Sequence, residues 1–338
     1  MKSTFAGLDL PDGEFAVGVA DALARVEDLL LTELSSGDDI LTEAATHLAK
    51  AGGKRFRPMF AVLASHFGPD PAGEKVITAA TVVEMIHLAT LYHDDVMDEA
   101  DMRRGVESAN ARWSNSVAIL AGDFLFARAS RLVSTLGPES VRIIAETFAE
   151  LVTGQMRETV GARGTDDVEH YLRVVWEKTG SLIAAAGRFG AMTSGADPER
   201  TATLTKFGDI VGVAFQVSDD IIDIASVTGE SGKTPGTDLR EGVHTLPVLY
   251  ALAGDDADSA RLRELLLDEG TGEPRPLTED AEVDEALNLL VDSAGMAQAR
   301  RRLAQMAQDA HAELATLPDG PAREAFSALV DYTVERVG

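Results

Sequence analysis

Two apolar, helix-compatible stretches of this chain, Leu88 to Met97 and Val211 to Ile224, each carry the same three carboxylates. Asp94, Asp95 and Asp98 stand in the order Asp-Asp-x-x-Asp, and Asp219, Asp220 and Asp223 repeat it. A carboxylate taken out of water without a partner is costly, so a fold that accepts both stretches must offer them a cavity and a cation. At 3.6 residues per turn, positions i and i+4 share a helix face and i+1 flanks it, which aims the oxygens of each trio at one point. Two such helices facing each other would form one cage. All-oxygen coordination suits Mg²⁺ or Mn²⁺, and Mg²⁺ prefers one or two carboxylates completed by the oxygens of a phosphorylated ligand. Acidic pairs such as Asp255 and Asp256 arise by chance among 56 Asp and Glu. Recurrence inside apolar flanks sets the two trios apart.

The rest of the chain reads as helices. Apolar residues recur at helical spacing over Phe15 to Leu34, Ile40 to Leu48, Phe60 to Phe67, Val76 to Val96, Val117 to Leu136, Ser140 to Val160, Val168 to Met192, Thr201 to Ile224 and Thr245 to Leu252. No strand alternation stands out. Turn chemistry breaks the pattern at Gly68-Pro69-Asp70-Pro71, Gly137-Pro138, Gly161 to Gly164, Asp197-Pro198 and Gly232 to Gly236. Several helices are apolar nearly all round, as interior helices of a large bundle are. After a loop at Glu269 to Pro276, the segments Val283 to Ser293, Ala297 to Leu317 and Ala322 to Val337 are more amphipathic. The expectation is an all-α, single-domain bundle over residues 1–338 with a central cavity and an outer helical cover from about residue 255.

The 338 residues hold no Cys, which excludes thiolate metal sites, disulfides and cysteine nucleophiles. A net charge of -26 opposes nucleic acid and anionic membranes as partners. Met1 to Leu10 lacks the pattern of a signal peptide, and no uncharged apolar run reaches membrane-spanning length. A soluble, cytoplasmic protein without stable membrane insertion is expected.

Any cations that meet a phosphate must then be gathered locally. Gly52-Gly53-Lys54-Arg55-Phe56-Arg57-Pro58 places three cations within four positions at a loop-to-helix transition, where backbone N–H groups add attraction for an anion. Arg103 and Arg104 follow the first trio closely, and arginine forks match phosphate oxygens. Lys178-Thr179-Gly180 interrupts an apolar helix, so its ammonium needs an anionic partner. Gln216 lies one turn before Asp219, and His87 lies on the stripe of Asp94, with His93 adjacent to it. The histidine spacing does not suit zinc. Val227 to Thr234 ends like a nucleotide-binding loop but lacks its first glycine, and Pro235 stops the helix that should follow. Lys233 reads instead as a loop cation that folds over the second trio.

Together these motifs, ordered from Gly52 to Pro247, resemble the trans-prenyltransferases, the isoprenyl and polyprenyl diphosphate synthases. The match comprises Gly-Gly-Lys-Arg-Phe-Arg-Pro at 52–58, His-Asp-Asp-Val-Met-Asp at 93–98 with Arg103-Arg104-Gly105, Lys178-Thr179-Gly180, Phe215 to Asp223, and Gly236 to Gly242. The resemblance implies a homodimeric all-α enzyme in which three Mg²⁺ ions bridge both aspartate motifs and an allylic diphosphate. Arg103, Lys178, Gln216 and Lys233 are then expected at that diphosphate, with Thr179 beside Lys178. Lys54, Arg57, His87 and Arg104 are expected at isopentenyl diphosphate. The implied reaction is ionisation of the allylic ester, attack by isopentenyl diphosphate and loss of a proton, in head-to-tail condensation. Val243 departs from the family pattern, where lysine is common, and leaves His244 as a weaker, pH-dependent donor.

The growing chain is expected to run along the first aspartate helix. Ala89 and Thr90, five and four positions before the motif, are small and leave the path open, so the expected product is longer than C20, in the C30 to C50 range. Ile86, Val83 and residues of the Val141 to Met156 helix are candidate floors. A class I terpene cyclase and a non-catalytic subunit of a heteromeric synthase are the alternatives. The first lacks a use for the Gly-Gly-Lys-Arg-x-Arg-Pro motif, and the second commonly loses aspartates that this chain retains.

Overall fold

A computed structural model describes residues 13–35, 39–162, 166–225 and 235–337, together with the short pairs Thr4–Phe5 and Leu8–Asp9. It is all-α, 77% helical. In chain order, β1 (Thr4–Phe5) and β2 (Leu8–Asp9) precede α1 (Glu14–Leu34), α2 (Asp39–Lys50), α3 (Phe56–Ser65) and α4 (Glu74–Met97). A hairpin of β3 (Met102–Arg103) and β4 (Val106–Glu107) leads to α5 (Ala109–Arg112), α6 (Asn115–Ser134), α7 (Pro138–Val160) and α8 (Asp167–Val175). A π-helical turn at Trp176–Gly180 separates α8 from α9 (Ser181–Thr193), and α10 (Pro198–Ala225) follows. Then come α11 (Thr237–Glu241), α12 (Leu246–Leu252), α13 (Ala257–Leu266), α14 (Asp280–Val291), α15 (Ala294–Leu314) and α16 (Pro321–Glu335).

Two details differ from the sequence reading. The hairpin was invisible because two-residue strands are too short to show alternation. Its loop is Arg104-Gly105, both with positive φ (53° and 77°), as tight two-residue hairpin connections favour. The expected helix Val168 to Met192 is split by the π turn at Trp176–Gly180.

Contacts gather the chain into two compact units. The first comprises residues 1–151, 181–208 and 313–328. Within it α4 packs against α1, α3, α6 and α9. By length and composition α4 could cross a membrane, but 72% of its apolar window is buried in the protein, as in a central bundle helix. Phe60, Phe207 and Phe326 close this core with ring centroids 4.8 to 5.6 Å apart, contacts that add to area burial. The second unit comprises residues 152–180, 209–312 and 329–338. Val217 and Ile221 of α10 share its core with Leu246, Leu262, Val283, Leu290 and Leu303. The helices after residue 255 in this unit thus build the core beneath the second aspartate trio.

Candidate active site

The first trio closes α4. Asp98 is the C-cap, its N–H bonding Asp94 O at 2.8 Å. Asp95 is fully buried and accepts from Arg103 Nε at 2.5 Å, while its Oδ2 is buried without a partner among the described residues. Burial raises the Asp95 pKa against the pull of Arg103. Tyr92 ties α4 to α2, accepting from Leu48 N at 3.2 Å and donating to Ala44 O.

One turn and more before this trio lies a cluster of cations around a single buried acid. Glu84, 2% exposed, receives Arg55 Nη1 at 2.9 Å and has Arg104 Nη2 at 3.8 Å. Arg55 stands at the α3 N-cap in left-handed conformation (φ 49°), and its fork also grips Glu27 at 2.7 and 2.9 Å. Arg104 donates to Leu48 O at 3.0 Å and to Gly52 O. Gly53 stands at φ 142°, a conformation that side-chain-bearing residues rarely adopt, and a Cβ on it would lie 2.9 Å from Arg104 Cζ.

Arg57 is compensated less. Its Nε is buried without a partner, and burial, with repulsion from Arg104, pushes its pKa down to about 10 against the attraction of Glu84. His87 sits in the same field: burial first, then Arg57 and Arg104, hold its pKa well below the ordinary value, so the ring is neutral near pH 7. Lys54 is exposed at the start of the cluster. Buried positive charge in excess of its acids is unfavourable by itself; it is the electrostatic form of a site prepared for an anion.

Ile86 and Ala89 are 1% and 0% exposed, and Thr90 is half-buried with its hydroxyl donating to His87 O at 2.9 Å. Alongside, α6 approaches α4 so closely that a Cβ on Gly122 would stand 3.1 Å from Ala89 O and 2.4 Å from His93 Nε2.

In the second unit the trio lies on α10. Asp220 is 4% exposed; Gln216 Nε2 donates to its Oδ1 at 2.9 Å and the Tyr171 hydroxyl donates to its Oδ2. Burial, with Asp219 and Asp223 adding to it, drives its pKa up to about 7 despite these two donors. Asp223 accepts long bonds from the N–H groups of Thr237 and Asp238, 3.3 Å each. Asp219 receives Arg336 Nη1 at 2.7 Å. Among the described residues no three acidic or histidine side chains are already grouped to hold a metal ion; Asp95, Asp219 and Asp220 instead rest on protein donors.

The π turn brings Lys178 and Thr179 into this unit. π-bulges re-aim side chains within helices and occur often at functional sites. Lys178, half-buried, pairs with Glu158, which supplies the anionic partner its position demands. Thr179 Oγ1 lies 3.5 Å from Gln216 Oε1. Gly154 of α7 admits the turn, since a Cβ there would be 2.7 Å from Glu177 Cβ and 3.0 Å from Lys178 N. Glu177, fully buried, is held by Arg157 and Arg173 at 2.8 and 2.7 Å. His244, beside Val243, is also held below its ordinary pKa by burial, and its Nε2 is buried without a partner among the described residues. Lys233 lies outside the described residues.

Sequence reasoning missed Glu84, Tyr171, Glu158 and Arg336. Glu84 had a signal: it is the one acid between Lys75 and Asp94 in a long apolar run. The other three act across distant segments, and no periodicity points to them.

A family profile described as polyprenyl synthetase matches residues 38–286. A nonaprenyl diphosphate synthase of Mycobacterium tuberculosis is 60% identical over 98% of both chains. A geranylgeranyl pyrophosphate synthase structure from Corynebacterium glutamicum superposes with TM-score 0.87 at 55% identity, covering 98% of this chain and 100% of that one. A decaprenyl diphosphate synthase structure from Rhodobacter capsulatus gives TM-score 0.85 at 34% identity, covering 96% and 98%.

Proposed function

Since the chain belongs to the polyprenyl synthetase family, we propose that it is a trans-polyprenyl diphosphate synthase that extends an allylic diphosphate with isopentenyl diphosphate to products longer than C20. The observation that carries this reading is the incompletely compensated positive charge of Arg57 beside Arg55 and Arg104, gathered around the buried Glu84 in a chain of net charge -26. Such a cluster selects a compact polyanion.

The aspartates fit a divalent cation. Asp95 Oδ2 is buried and orphaned, and like-charge crowding helps hold Asp220 near pKa 7; a hard cation relieves both. The solved Corynebacterium glutamicum relative carries calcium with isoprenyl diphosphate. For this chain the physiological ion we propose is Mg²⁺, three per site, held by Asp94, Asp95, Asp98, Asp219, Asp220 and Asp223. Bound there, it neutralises the charge that develops on the departing diphosphate.

The protein's own groups do the rest. Arg57, Arg104, Lys54 and the neutral His87 hold isopentenyl diphosphate. Arg103, Lys178, Gln216 and Lys233 meet the allylic diphosphate, so preorganised cations face the charge that grows as the C–O bond breaks. No side-chain nucleophile is required, and the released diphosphate takes the proton. Small side chains at Ala89 and Thr90 favour the longer products. Exposed Ile119 and Leu120 on α6, and Val141, Val152 and Met156 on α7, support a homodimer formed through these helices.

Incubation of the purified protein with labelled isopentenyl diphosphate, Mg²⁺ and allylic primers of several lengths tests the reading. Linear products longer than C20 are expected. A cyclic hydrocarbon, or no turnover without a second protein, would replace it with a terpene cyclase or a non-catalytic subunit.

A further inference from the structure

Arg336, just beyond α16, is bound to the second aspartate trio more firmly than a swinging phosphate ligand can be. Its Nη1 holds Asp219 Oδ1 at 2.7 Å, Nε donates to Ser218 Oγ at 2.7 Å, and Nη2 donates to Phe215 O at 2.8 Å. The guanidinium lies over the Phe215 ring, 4.2 Å from its centroid, and Ser218 is itself anchored by donation to Thr333 O at 2.8 Å. The side chain is only 10% exposed, against 31% for Arg103, which holds Asp95 through Nε. Arg103 has the freedom to leave Asp95 for a phosphate. Arg336 is clamped on three sides to the segment that carries the trio.

A fixed guanidinium on one oxygen of Asp219 has two electrostatic consequences. It repels a bare divalent cation that approaches the trio, and it leaves the second carboxylate oxygen available. A diphosphate brings enough negative charge to overcome that repulsion. We propose that Arg336 is a positioning residue that makes cation binding at the second aspartate trio conditional on diphosphate, by holding a permanent positive charge against Asp219. In thermodynamic terms Arg336 increases the coupling between cation and diphosphate, each favouring the other by the same factor. This inference rests on the reading of Asp219 as a cation ligand.

The test is Mn²⁺ titration by electron paramagnetic resonance, with and without inorganic pyrophosphate, for the wild type, Arg336→Met, Arg336→Lys and Asp219→Asn, after circular dichroism has established that each is folded. Arg336→Met should bind Mn²⁺ without pyrophosphate about fivefold or more tightly than the wild type, and pyrophosphate should tighten it by a correspondingly smaller factor. Arg336→Lys keeps the charge while losing the fork, so its pyrophosphate-free affinity should stay within about twofold of the wild type. A purely structural role for Arg336 predicts the reverse, weaker Mn²⁺ binding in both variants, and that outcome overturns the proposal, as does an unchanged affinity in Arg336→Met. If Arg336→Met does not fold, Arg336→Lys and Ser218→Ala decide it: Ser218→Ala frees the guanidinium from one anchor and should raise pyrophosphate-free affinity above that of Arg336→Lys, and equal or lower affinity overturns it. Were the wild type to bind no Mn²⁺ even with pyrophosphate, or Asp219→Asn to bind as the wild type does, the cation reading of the trio would fail and this inference with it.

Discussion

Arg57 shows how far a single residue can be held against its own stability. Its guanidinium is partly desolvated, lacks a partner at Nε and is repelled by Arg104. Replacing a poorly compensated buried charge by an apolar group of similar volume is often stabilising, by about 1–4 kcal/mol. Arg57→Met is therefore expected to raise the unfolding free energy by about 1 kcal/mol while raising KM for isopentenyl diphosphate by roughly tenfold or more, the cost of a lost charge-assisted hydrogen bond. Denaturant titration and steady-state kinetics read the two effects, and a variant that loses both stability and affinity contradicts the assignment. His87 carries a pH signature. Burial and the surrounding arginines hold its folded pKa well below 6.5, so the unfolded chain takes up a proton first as the pH drops. Stability from a neutral His87 is thus present above about pH 6.5 and is lost as the pH falls below it. Asp220 works in the opposite direction: its carboxyl is raised to about 7, and its stabilising effect is lost as the pH rises through that value. Comparing the wild type with His87→Gln removes Asp220 from the balance. The fall in Tm between about pH 7.5 and 5.5 should be smaller in the variant, and equal falls would remove His87 from the account.

Individual elements differed in how legibly the sequence announced them. Long helices with apolar stripes were plain: Phe15 to Leu34 became α1 at Glu14–Leu34, and Thr201 to Ile224 became α10 at Pro198–Ala225. Elements set by a few contacts were not. The β3–β4 hairpin is fixed by two positive-φ residues, and the π turn by Gly154 and the Glu177 pairs, none of which leaves a periodic trace. The π turn gives a prediction at this scale. In Gly154→Ala the new methyl would have to displace Glu177 or Lys178, so kcat should fall by about tenfold or more as Lys178 moves from its place. Destabilisation should be about 1–3 kcal/mol, measured by thermal unfolding beside the kinetics, and unchanged kcat would remove the π turn from catalysis. On α4, Ala89→Phe should shorten the product, at a stability cost of about 1–3 kcal/mol because the position is fully buried against neighbours. An unchanged product distribution on sizing would refute the path of chain growth proposed along this helix.

At the scale of the whole molecule, the all-α class and both aspartate trios were readable because they rest on local spacing, whereas the partners that hold the trios in place were not. Arg103, eight residues after Asp95, was expected nearby but at a diphosphate, not on Asp95; Tyr171 and Arg336 reach their aspartates from far along the chain and were not anticipated. Each trio mixes environments: Asp95 and Asp220 are enclosed, while Asp98 stands exposed at its helix end. What we propose for the site is that both trios serve one diphosphate through shared divalent cations. Anomalous diffraction at the manganese edge, from crystals grown with Mn²⁺ and pyrophosphate, tests it most directly. Manganese peaks bound on one side by Asp94 or Asp98 and on another by Asp219 or Asp223, with the same pyrophosphate between them, are the expected result; peaks confined to one trio, or pyrophosphate bound away from both, would contradict it.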